Sequence, residues 1–579
     1  MAARLPDAIL PPSVRRRIGR TAPDAVARHA RLLLQGQSPP QRAVRTARAT
    51  LSRLRVLRTL PPPLGEERFV PVEVGGKAVP ARVVDEFRSD HVWADQAARV
   101  ADALAAHEVE HVLVSVDPYR RRIIAVPAAR RGDAIRALAA ELGPAAFQLA
   151  PVYSRDALRS RPLTGRRPRF TNTLRVFQVL ATAGGDLVSA AEMGCDVQFW
   201  REVGPGHQPS PNAEPLPLGT LLGERTFDAV PEAVEPAPTG VVHRQVDGRV
   251  RPVAADLTAP HLFQHLDPVD VVYTWVDGSD PAWQERRDRA LRAAGGAPLH
   301  DLAANDSRYT SHDELRYSLR SLEMYAPWVR QVFLVTDHQV PSWLVADHPR
   351  LTVVDHTELF GSRGRLPTFN SHAIESQLHH LDGLAENYLY LNDDVFFGRP
   401  VDPGLFVLGN GLARIFFSSV KVGPGPVRPS DLPITSAAKN NRDLLLEKFG
   451  RTTLHKFQHA PYSLRRSVMQ ELDDLFGDVI EATASAQFRS PSDVSVSAAL
   501  GLAYSGLVGK AVPGRLRYLY ADIAAPDTPD RLAVLLARHD HDVFCLNDHD
   551  SSRLTTQRQL DVVSGFLRSY FPLPSSFER

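Results

Sequence analysis

The stretch YLYLNDDVFFG, residues 388–398, decides how this chain should fold. Four apolar or aromatic residues run directly into Asn392, Asp393 and Asp394, and a second apolar run ends at Gly398. A buried β-strand that ends in adjacent carboxylates is the arrangement with which α/β enzymes hold a hard divalent cation beside a diphosphate. A strand that merely ends in a polar turn, with Asp393 as a cap, would show the same residues. This segment alone leaves both interpretations open.

Two more predicted strands end in acidic residues. DVVYTWV (270–276) runs into Asp277, and QVFLVT (331–336) runs into Asp337. A helix with a capping box is predicted between them, at 311–325. Because strands and helices alternate with short connections, we expect a Rossmann-like α/β fold with a mostly parallel sheet and helices on both faces. Its ligand should lie beyond the carboxyl ends of the strands, where all these acidic residues would meet.

Composition indicates an ordinary multidomain globular protein. The chain has 579 residues, of which 43% are hydrophobic and 23% charged, so two or three domains are expected. A net charge of +2 gives no global field that would favour nucleic acid. Two cysteines exclude a disulfide scaffold and a Cys-rich zinc site. The sequence contains no apolar run of roughly 18 residues and no signal-peptide core at its N-terminus, so we expect a cytoplasmic protein.

Four segments are predicted along the chain. Residues 1–63 form a basic arm, with thirteen arginines against two acidic residues before residue 61. This arm, helical or partly disordered, either rests on anionic lipid at the inner face of the cell membrane or is a solvated tail. Residues 64–205 have the pattern of a small α/β accessory domain, and 206–262 are rich in Pro and Gly and resemble a linker. Residues 263–579 carry the catalytic motifs.

Two places could contact a nucleotide. In the turn after residue 276, Asp277 could bind a ribose hydroxyl, and Gly278 permits a close approach of the backbone to phosphate. An ordinary Asp-Gly turn explains the same two residues. On the helix at 311–325, Arg316 could bind a diphosphate bidentately or simply face solvent. Asn392 precedes the acidic pair and is expected at the same edge of the sheet.

The segment TLHKFQHAPYSLRR, residues 453–466, offers a general base. His455 and His459 lie four residues apart and could form a metal pair on a helix, but the proline that follows makes a continuous helix doubtful. A single histidine acting as general base is the better interpretation, because its reference pKa lies near neutrality. Further along, Arg489 could neutralise a phosphoryl oxygen, and Asp493 could orient that arginine or bind metal.

Five segments together resemble the four conserved regions of the Stealth family, most closely its actinobacterial exopolysaccharide phosphotransferases. The segments are DVVYTWVDGSDP (270–281), DELRYSLRSLEMYAPWVRQVFLVTD (313–337), LPTFNSHAIESQLHHLDGLAENYLYLNDDVFFG (366–398), QHAPYSLRR (458–466) and FCLNDHD (544–550). The family also contains the animal N-acetylglucosamine-1-phosphotransferase. Residues 1–260 show no comparable resemblance.

The resemblance implies a sugar-1-phosphate transferase. Such an enzyme transfers a hexose-1-phosphate from a nucleotide-diphospho-sugar to a hydroxyl of an acceptor glycan, in capsular or exopolysaccharide synthesis. A phosphodiester is formed and nucleoside monophosphate is released. Because the spacer at 282–312 is short, the chain lacks the recognition modules inserted in the animal enzyme, which favours a glycan over a protein acceptor. No nucleic acid partner is implied.

The resemblance also assigns roles to individual residues. It implies Mg²⁺ or Mn²⁺ at the diphosphate, held by Asp393, Asp394 and Asp493. It implies catalytic roles for His459, Arg489 and Asp394, with His459 as the general base, and the fourth region contains Asn547 and Asp548 without a defined role. The expected donor-binding residues are Asp277, Gly278, Arg316 and Asn392.

Two other functions fit a strand that ends in acids. A conventional metal-dependent glycosyltransferase would use the same metal site but would release nucleoside diphosphate and form a glycoside. A non-catalytic binding protein would keep its role after replacement of His459 or Asp394. The order and spacing of the five segments favour the phosphotransferase.

Overall fold

The computed structural model describes most of the chain beyond residue 59. The described residues are 60–61, 65–74, 77–151, 160–164, 172–206, 214, 216–223, 233–234, 240–255, 257–262, 264–294, 313–547 and 556–579. The predicted basic arm at 1–63 lies outside them except for residues 60 and 61, and Asp548 also lies outside them. Among the described residues, no helix combines the length and apolar character needed to cross a bilayer.

The amino-terminal region is built on two sheets. Its strands are β1 (Phe69–Val74), β2 (Lys77–Val83), β3 (Val112–Ser115), β4 (Ile123–Pro127), β5 (Gln148–Pro151), β6 (Arg161–Pro162), β7 (Thr173–Phe177), β8 (Leu180–Ala181), β9 (Leu187–Ser189), β10 (Cys195–Glu202), β11 (Leu221–Leu222), β12 (Ala233–Val234), β13 (Val241–Val246) and β14 (Arg249–Ala254). Its helices are α1 (Ser89–Ala106) and α2 (Arg131–Leu142). One sheet has the order β1-β2-β8-β9; the other has the path β13-β14-β3-β4-β10-β7-β5-β6, with β11 and β12 attached through β10.

Part of the predicted linker at 206–262 belongs to this second sheet. Residues 241–254 form the antiparallel hairpin β13–β14, and β14 pairs in parallel with β3 through Val253 and Leu113. Val253 is fully buried in the core under α1. The Pro- and Gly-rich composition hid this hairpin, because its two strands are short and their polar residues do not alternate regularly with apolar ones, so they produce little hydrophobic periodicity.

The carboxy-terminal region carries the remaining elements. Its strands are β15 (Val269–Thr274), β16 (Val332–Thr336), β17 (Leu351–Asp355), β18 (Asn387–Asn392), β19 (Val395–Phe397), β20 (Ala413–Ile415), β21 (Phe417–Lys421), β22 (His455–Phe457), β23 (Tyr462–Arg465), β24 (Ala511–Pro513), β25 (Tyr518–Asp522) and β26 (Val543–Asn547). Its helices are α3 (Pro281–Ala293), α4 (Glu314–Tyr325), α5 (His356–Phe360), α6 (Ser371–Glu375), α7 (Pro433–Phe449), α8 (Arg466–Ala484), α9 (Gly501–Leu507), α10 (Thr528–Arg538) and α11 (Thr556–Tyr570).

A five-stranded sheet organises this region. Its order is β17-β16-β15-β18-β23. The pairings β16–β17, β15–β16 and β15–β18 are parallel, and β23 adds an antiparallel edge to β18. The carboxyl ends of β15, β16 and β18 therefore lie at one edge, as the acidic strand ends predict. Across the described chain, parallel and antiparallel pairings are mixed, so the fold class is mixed α/β.

Both faces of the five-stranded sheet are covered. Because side chains of a strand alternate between faces, Leu389 and Leu391 join the core that contains Leu315 of α4, whereas Tyr388 joins the core that contains Leu472 of α8. This burial on both sides explains why the strand sequences are nearly continuous apolar runs.

Two serines of α4 bring this helix close to the acidic pair. The Ser318 hydroxyl donates a hydrogen bond to the Val395 carbonyl at 2.6 Å, and the Ser321 hydroxyl accepts one from the Phe397 amide at 3.0 Å. Small side chains allow the helix to approach β19 closely, and the first turn of α4 then lies close enough to Asp393 for the charge of Glu314 to act on it. The helix begins at Glu314; the predicted start at 311 lies outside the described residues.

The amino-terminal region packs directly on the carboxy-terminal one. Phe87 and Trp93 are buried in the same core as Leu315 of α4, and Phe87 contacts Tyr325 edge-on. The Arg120 guanidinium also binds the Asp402 carboxylate at 2.6 Å. These contacts hold the accessory sheet against the helix that shapes the site.

Candidate active site

Asp394 lies just beyond β18 and is surrounded by hydrogen-bond donors. Strand β26 pairs antiparallel with β19, which places Cys545 opposite Val395 and brings Asn547 to the acidic pair. The Asn547 amide donates to Asp394 Oδ2 at 2.8 Å, and the Cys545 thiol lies 3.4 Å from the same oxygen. The fourth segment of the resemblance therefore contributes directly to this carboxylate, through Asn547.

His459 lies between Asp394 and Tyr462. Its Nε2 atom is 3.2 Å from Asp394 Oδ1, and its Nδ1 atom is 3.0 Å from the Tyr462 hydroxyl. The Tyr518 hydroxyl donates to the His459 carbonyl at 2.8 Å and fixes the backbone. His459 occupies the connection between β22 and β23, and His455 lies on β22 with its Nδ1 at the Ser418 carbonyl. A metal pair of His455 and His459 on a helix is therefore wrong.

The Asp394–His459 pair is electrostatically favourable. Burial alone would raise the pKa of Asp394, but the charge of His459 and hydrogen bonds from His459 and Asn547 hold that pKa below its usual value. Burial would lower the pKa of His459, yet the charge of Asp394 and their hydrogen bond raise it above its usual value. The carboxylate therefore stabilises a protonated imidazole, which is what a general base requires after it has taken a proton.

Asp393 has the opposite environment. Burial, followed by the negative charges of Glu314 and Asp394, raises its pKa well above the usual range. Glu314 is itself buried in the first turn of α4. Carboxylates gathered in this way repel each other unless a cation lies between them.

These residues fit a divalent cation. Carboxylate oxygens are the ligands that Mg²⁺ and Mn²⁺ prefer. Asp394, His459 and Cys545 also place one potential ligand atom each within 4.8 Å of one another. Burial raises the pKa of the Cys545 thiol well above its usual value, so this sulfur stays protonated and is a poor ligand. The oxygens of the acidic pair are the better donor set.

Arg489 and Asp493 lie on the loop that follows α8. The Arg489 guanidinium donates to the Ser371 hydroxyl of α6 at 2.7 Å. Glu375, at the other end of this short helix, contributes to the raised pKa of His459. Helix α6 therefore connects the arginine to the neighbourhood of the candidate base.

Asp493 orders this loop. Its side chain is 1% exposed, and its Oδ2 accepts hydrogen bonds from the Asn370 amide at 2.8 Å and the Ser490 backbone at 2.9 Å. Among the described residues, the two clusters of His, Cys, Asp and Glu close enough to share a cation include neither Asp493 nor Asp393. Asp493 Oδ2 therefore orders the loop, whereas its Oδ1 atom is buried without a hydrogen-bond partner in the described part of the chain. The role of Asp493 as a metal ligand stays a prediction.

The predicted nucleotide turn lies beyond β15. Asp277 Oδ1 accepts from the Ser279 amide at 2.8 Å and from its hydroxyl at 2.6 Å, and the Gly278 carbonyl accepts from Gln284 at 2.8 Å. The turn interpretation therefore holds. Since Thr274 of β15 pairs with Asn392 of β18, this turn and the acidic pair share one edge of the sheet.

Arg316 does not face this edge as an open cation. Its guanidinium lies 2.5 Å from Glu578 Oε2 and stacks over Trp343. Arg320 binds the same carboxylate at 2.7 Å. Glu578 therefore neutralises Arg316 in a structural ion pair, and the diphosphate contact of this arginine stays a prediction.

Sequence reasoning missed several residues of the site. The sequence pattern assigns no site role to Glu314, Glu375 or Cys545, and Tyr462 enters only as part of the segment at 453–466. The spacing of Tyr462 from His459 is a local signal that could have been read. The other three are brought in by contacts between segments distant in sequence, which carry no such signal.

Comparisons with known proteins identify the family of this chain. Models of Stealth protein conserved regions 1, 2, 3 and 4 match residues 267–295, 308–415, 458–501 and 534–579. An exopolysaccharide phosphotransferase of Streptomyces coelicolor is 43% identical over 503 residues, which covers 83% of this chain and 81% of the relative. The exopolysaccharide phosphotransferase CpsY of Mycobacterium tuberculosis is 37% identical over 329 residues, or 57% of this chain and 61% of the relative.

Solved structures are more distant. The galactosyltransferase LgtC, in complex with donor and acceptor sugar analogs, is 11% identical and covers 51% of this chain and 95% of its own, with a TM-score of 0.24. The bifunctional glycosyltransferase WbbM is 10% identical and covers 52% of this chain and 50% of its own, with a TM-score of 0.27. These superpositions are too loose to carry an argument.

Proposed function

This chain belongs to the Stealth family and is a transferase, and we propose that it transfers a hexose-1-phosphate from a nucleotide-diphospho-sugar to a hydroxyl of an acceptor glycan. In this proposal the products are a phosphodiester and nucleoside monophosphate, and the pathway is exopolysaccharide synthesis. Support comes from the names of the relatives, which are exopolysaccharide phosphotransferases, and from the chemistry of the site.

The observation that carries the proposal is the hydrogen-bonded chain from Asp394 through His459 to Tyr462. Asp394 Oδ1 holds the imidazole at Nε2, so the ring presents its Nδ1 lone pair on the other side. In the neutral imidazole with its proton on Nε2, the Tyr462 hydroxyl, 3.0 Å from Nδ1, would donate to that lone pair. An acceptor hydroxyl that takes the place of Tyr462 would lose its proton to Nδ1, and Asp394 would stabilise the resulting imidazolium.

A divalent cation, Mg²⁺ or Mn²⁺, would be held by Asp393 and Asp394. When bound, it would neutralise diphosphate charge and so assist attack on phosphorus. The protein's own residues orient the reactants around it. Arg489 would face the equatorial phosphoryl oxygens, held by Ser371 and by the loop that Asp493 orders.

The donor is proposed to lie across the carboxyl edge of the five-stranded sheet, which is where Rossmann-like folds bind nucleotides. The turn at Asp277 and Gly278 would contact the nucleoside, and Asn392 would lie between that turn and the acidic pair. Open α/β sheets bind their ligands at this edge, which supports the placement.

The direct test is the identity of the released nucleotide. Purified full-length chain is incubated with a panel of nucleotide sugars, Mg²⁺ or Mn²⁺ and an acceptor glycan, and the products are identified by mass. Nucleoside monophosphate with a phosphodiester product is the expected result. Nucleoside diphosphate with a glycoside would refute the proposal in favour of a conventional glycosyltransferase.

A pair of histidine variants tests the base. His459→Ala is expected to lower turnover by about 100-fold or more. His455→Ala is the matched control, because His455 is an exposed histidine on the strand that leads into the same segment and contacts Ser418 instead of the acidic pair. Equal turnover of the two variants would contradict the role of His459.

A further inference from the structure

Two adjacent histidines and one aspartate converge outside the site described above. His379 and His380 end the 3₁₀ turn Leu378–His380, and Asp473 lies on α8. His379 Nε2 is 2.7 Å and His380 Nε2 is 3.1 Å from the same oxygen, Asp473 Oδ2. The two imidazole rings are 4.0 Å apart between centroids.

The two neighbouring rings turn the same nitrogen toward one carboxylate oxygen, with their centroids 4.0 Å apart. Because such an oxygen can accept two hydrogen bonds, a hydrogen-bonded brace is the alternative that the test below must separate from a metal site. One ligand atom from each of the three residues lies within 4.8 Å of the others. A tetrahedral cation bound to two imidazole nitrogens at about 2.0–2.1 Å and to one carboxylate oxygen has its ligand atoms at such separations.

The cluster also has an open side. His379 is completely buried, whereas the side chains of His380 and Asp473 are 23% and 28% exposed. The side chains of His380 and Asp473 therefore reach solvent, from which a cation could enter and water could serve as the fourth ligand. Two nitrogens and one oxygen suit Zn²⁺ and related transition metals, whereas the carboxylates at Asp393 and Asp394 suit Mg²⁺ or Mn²⁺.

We propose that His379, His380 and Asp473 form a transition-metal site that binds Zn²⁺ and is separate from the transferase site. The bound cation would join the turn that leads into β18 to helix α8, which directly follows β23. Strand β18 delivers the acidic pair, and the connection before β23 delivers His459. The metal would therefore clamp the two elements that position the catalytic groups, and its role would be structural.

The test uses the full-length chain with Zn²⁺ as the probe and excess Mg²⁺ to occupy oxygen-rich sites. Zinc content after dialysis and the melting temperature with and without Zn²⁺ are measured for wild type, Asp473→Asn and His380→Ala. Wild type should retain one more equivalent of zinc than either variant, with about 100-fold or greater loss of affinity in the variants. Zinc should raise the melting temperature of wild type only.

Two controls distinguish a metal site from a hydrogen-bonded brace and from zinc bound at surface histidines. Asp473→Asn keeps the side-chain shape and one oxygen acceptor, so a hydrogen-bonded brace would survive this change. His107→Ala removes a histidine of an exposed pair with Glu141, whose Nε2–Oε1 distance is 2.9 Å, and should leave zinc content unchanged. Equal zinc in wild type, Asp473→Asn and His380→Ala, or zinc lost only from His459→Ala, would overturn the proposal.

Discussion

The substitution Asp394→Asn tests the division of labour within the acidic pair. The introduced amide would keep the size of the side chain and one oxygen acceptor but would remove the negative charge 3.2 Å from His459 Nε2. The imidazolium formed when His459 takes a proton would then lose its counter-charge. We expect turnover to fall, with substrate affinity much less affected.

The size of the effect follows from the burial of the pair. Removing one partner of a buried ion pair costs about 3–5 kcal/mol. The side chains of His459 and Asp394 are 27% and 14% exposed, so solvent screens part of this interaction and the lower end of the range applies. A barrier raised by about 3–4 kcal/mol corresponds to a loss of about 10²–10³-fold in kcat.

The assay is single-turnover release of nucleotide with saturating donor, at several Mg²⁺ concentrations. If Asp394 acts through His459, excess Mg²⁺ will not restore the rate of the Asp394→Asn variant. If the main role of Asp394 is to hold the cation, excess Mg²⁺ will restore that rate. Cys545→Ser is the matched control, because Cys545 contacts the other oxygen of Asp394 and should change the rate by less than about tenfold. A rate for Asp394→Asn within about threefold of wild type would refute the ion-pair argument.

Three further outcomes are expected. Asp393→Ala should abolish turnover, and so should removal of divalent cations by a chelator. Added Mg²⁺ or Mn²⁺ should restore turnover only to the chelated wild type. Full activity in chelator would exclude a catalytic role for the cation. Tyr462→Phe should lower kcat by less than about tenfold, because the acceptor hydroxyl replaces the tyrosine at Nδ1, whereas a loss above about 100-fold would indicate proton relay through Tyr462. Glu578→Gln should destabilise the fold by about 3 kcal/mol at neutral pH, measured by denaturant unfolding, because it breaks a buried contact with Arg316 and Arg320. Burial raises the pKa of Glu578, but hydrogen bonds from Arg320, the Ser575 amide and Arg316 lower it below its usual value. The stabilisation by the Glu578 carboxylate is therefore complete above about pH 4.3 and is lost as the pH falls through the folded-state pKa. The same difference in unfolding free energy between wild type and Glu578→Gln at every pH would contradict this reasoning.

The parts of the structure that could be predicted from sequence are those fixed by local pattern. The apolar run before Asn392 predicts a strand buried on both faces, and β18 lies inside its sheet with helices on each side. Acidic residues after three apolar runs predict a shared edge, and β15, β16 and β18 are parallel neighbours. In each case the apolar run that forms the strand and the polar residue that ends it are adjacent in sequence, so a local pattern is sufficient to predict them.

What could not be predicted depends on contacts between distant segments. Arg316 has a helical position suited to a phosphate, but its partner Glu578 lies 262 residues away. Asp493 carries the charge of a metal ligand, but the Asn370 amide and the Ser490 backbone donate hydrogen bonds to its Oδ2 atom. Residue type and spacing indicate what a side chain is able to bind. The tertiary packing determines which partner it contacts in the folded protein.

The acidic pair illustrates this most clearly, because its two members are chemically identical and adjacent in sequence. Asp394 contacts an imidazole, an amide and a thiol, and its pKa lies below the usual value. Asp393 is buried near the negative charges of Glu314 and Asp394, and its pKa lies well above the usual range. The carboxylate beside the imidazole is suited to hold a base in place, and the one beside other carboxylates gains most from a cation. Asp393 and Asp394 lie in the turn between β18 and β19 and contact different neighbours. Two adjacent aspartates can therefore supply both functions of a phosphoryl-transfer site, which is why we assign the orientation of His459 to Asp394 and the main metal contact to Asp393.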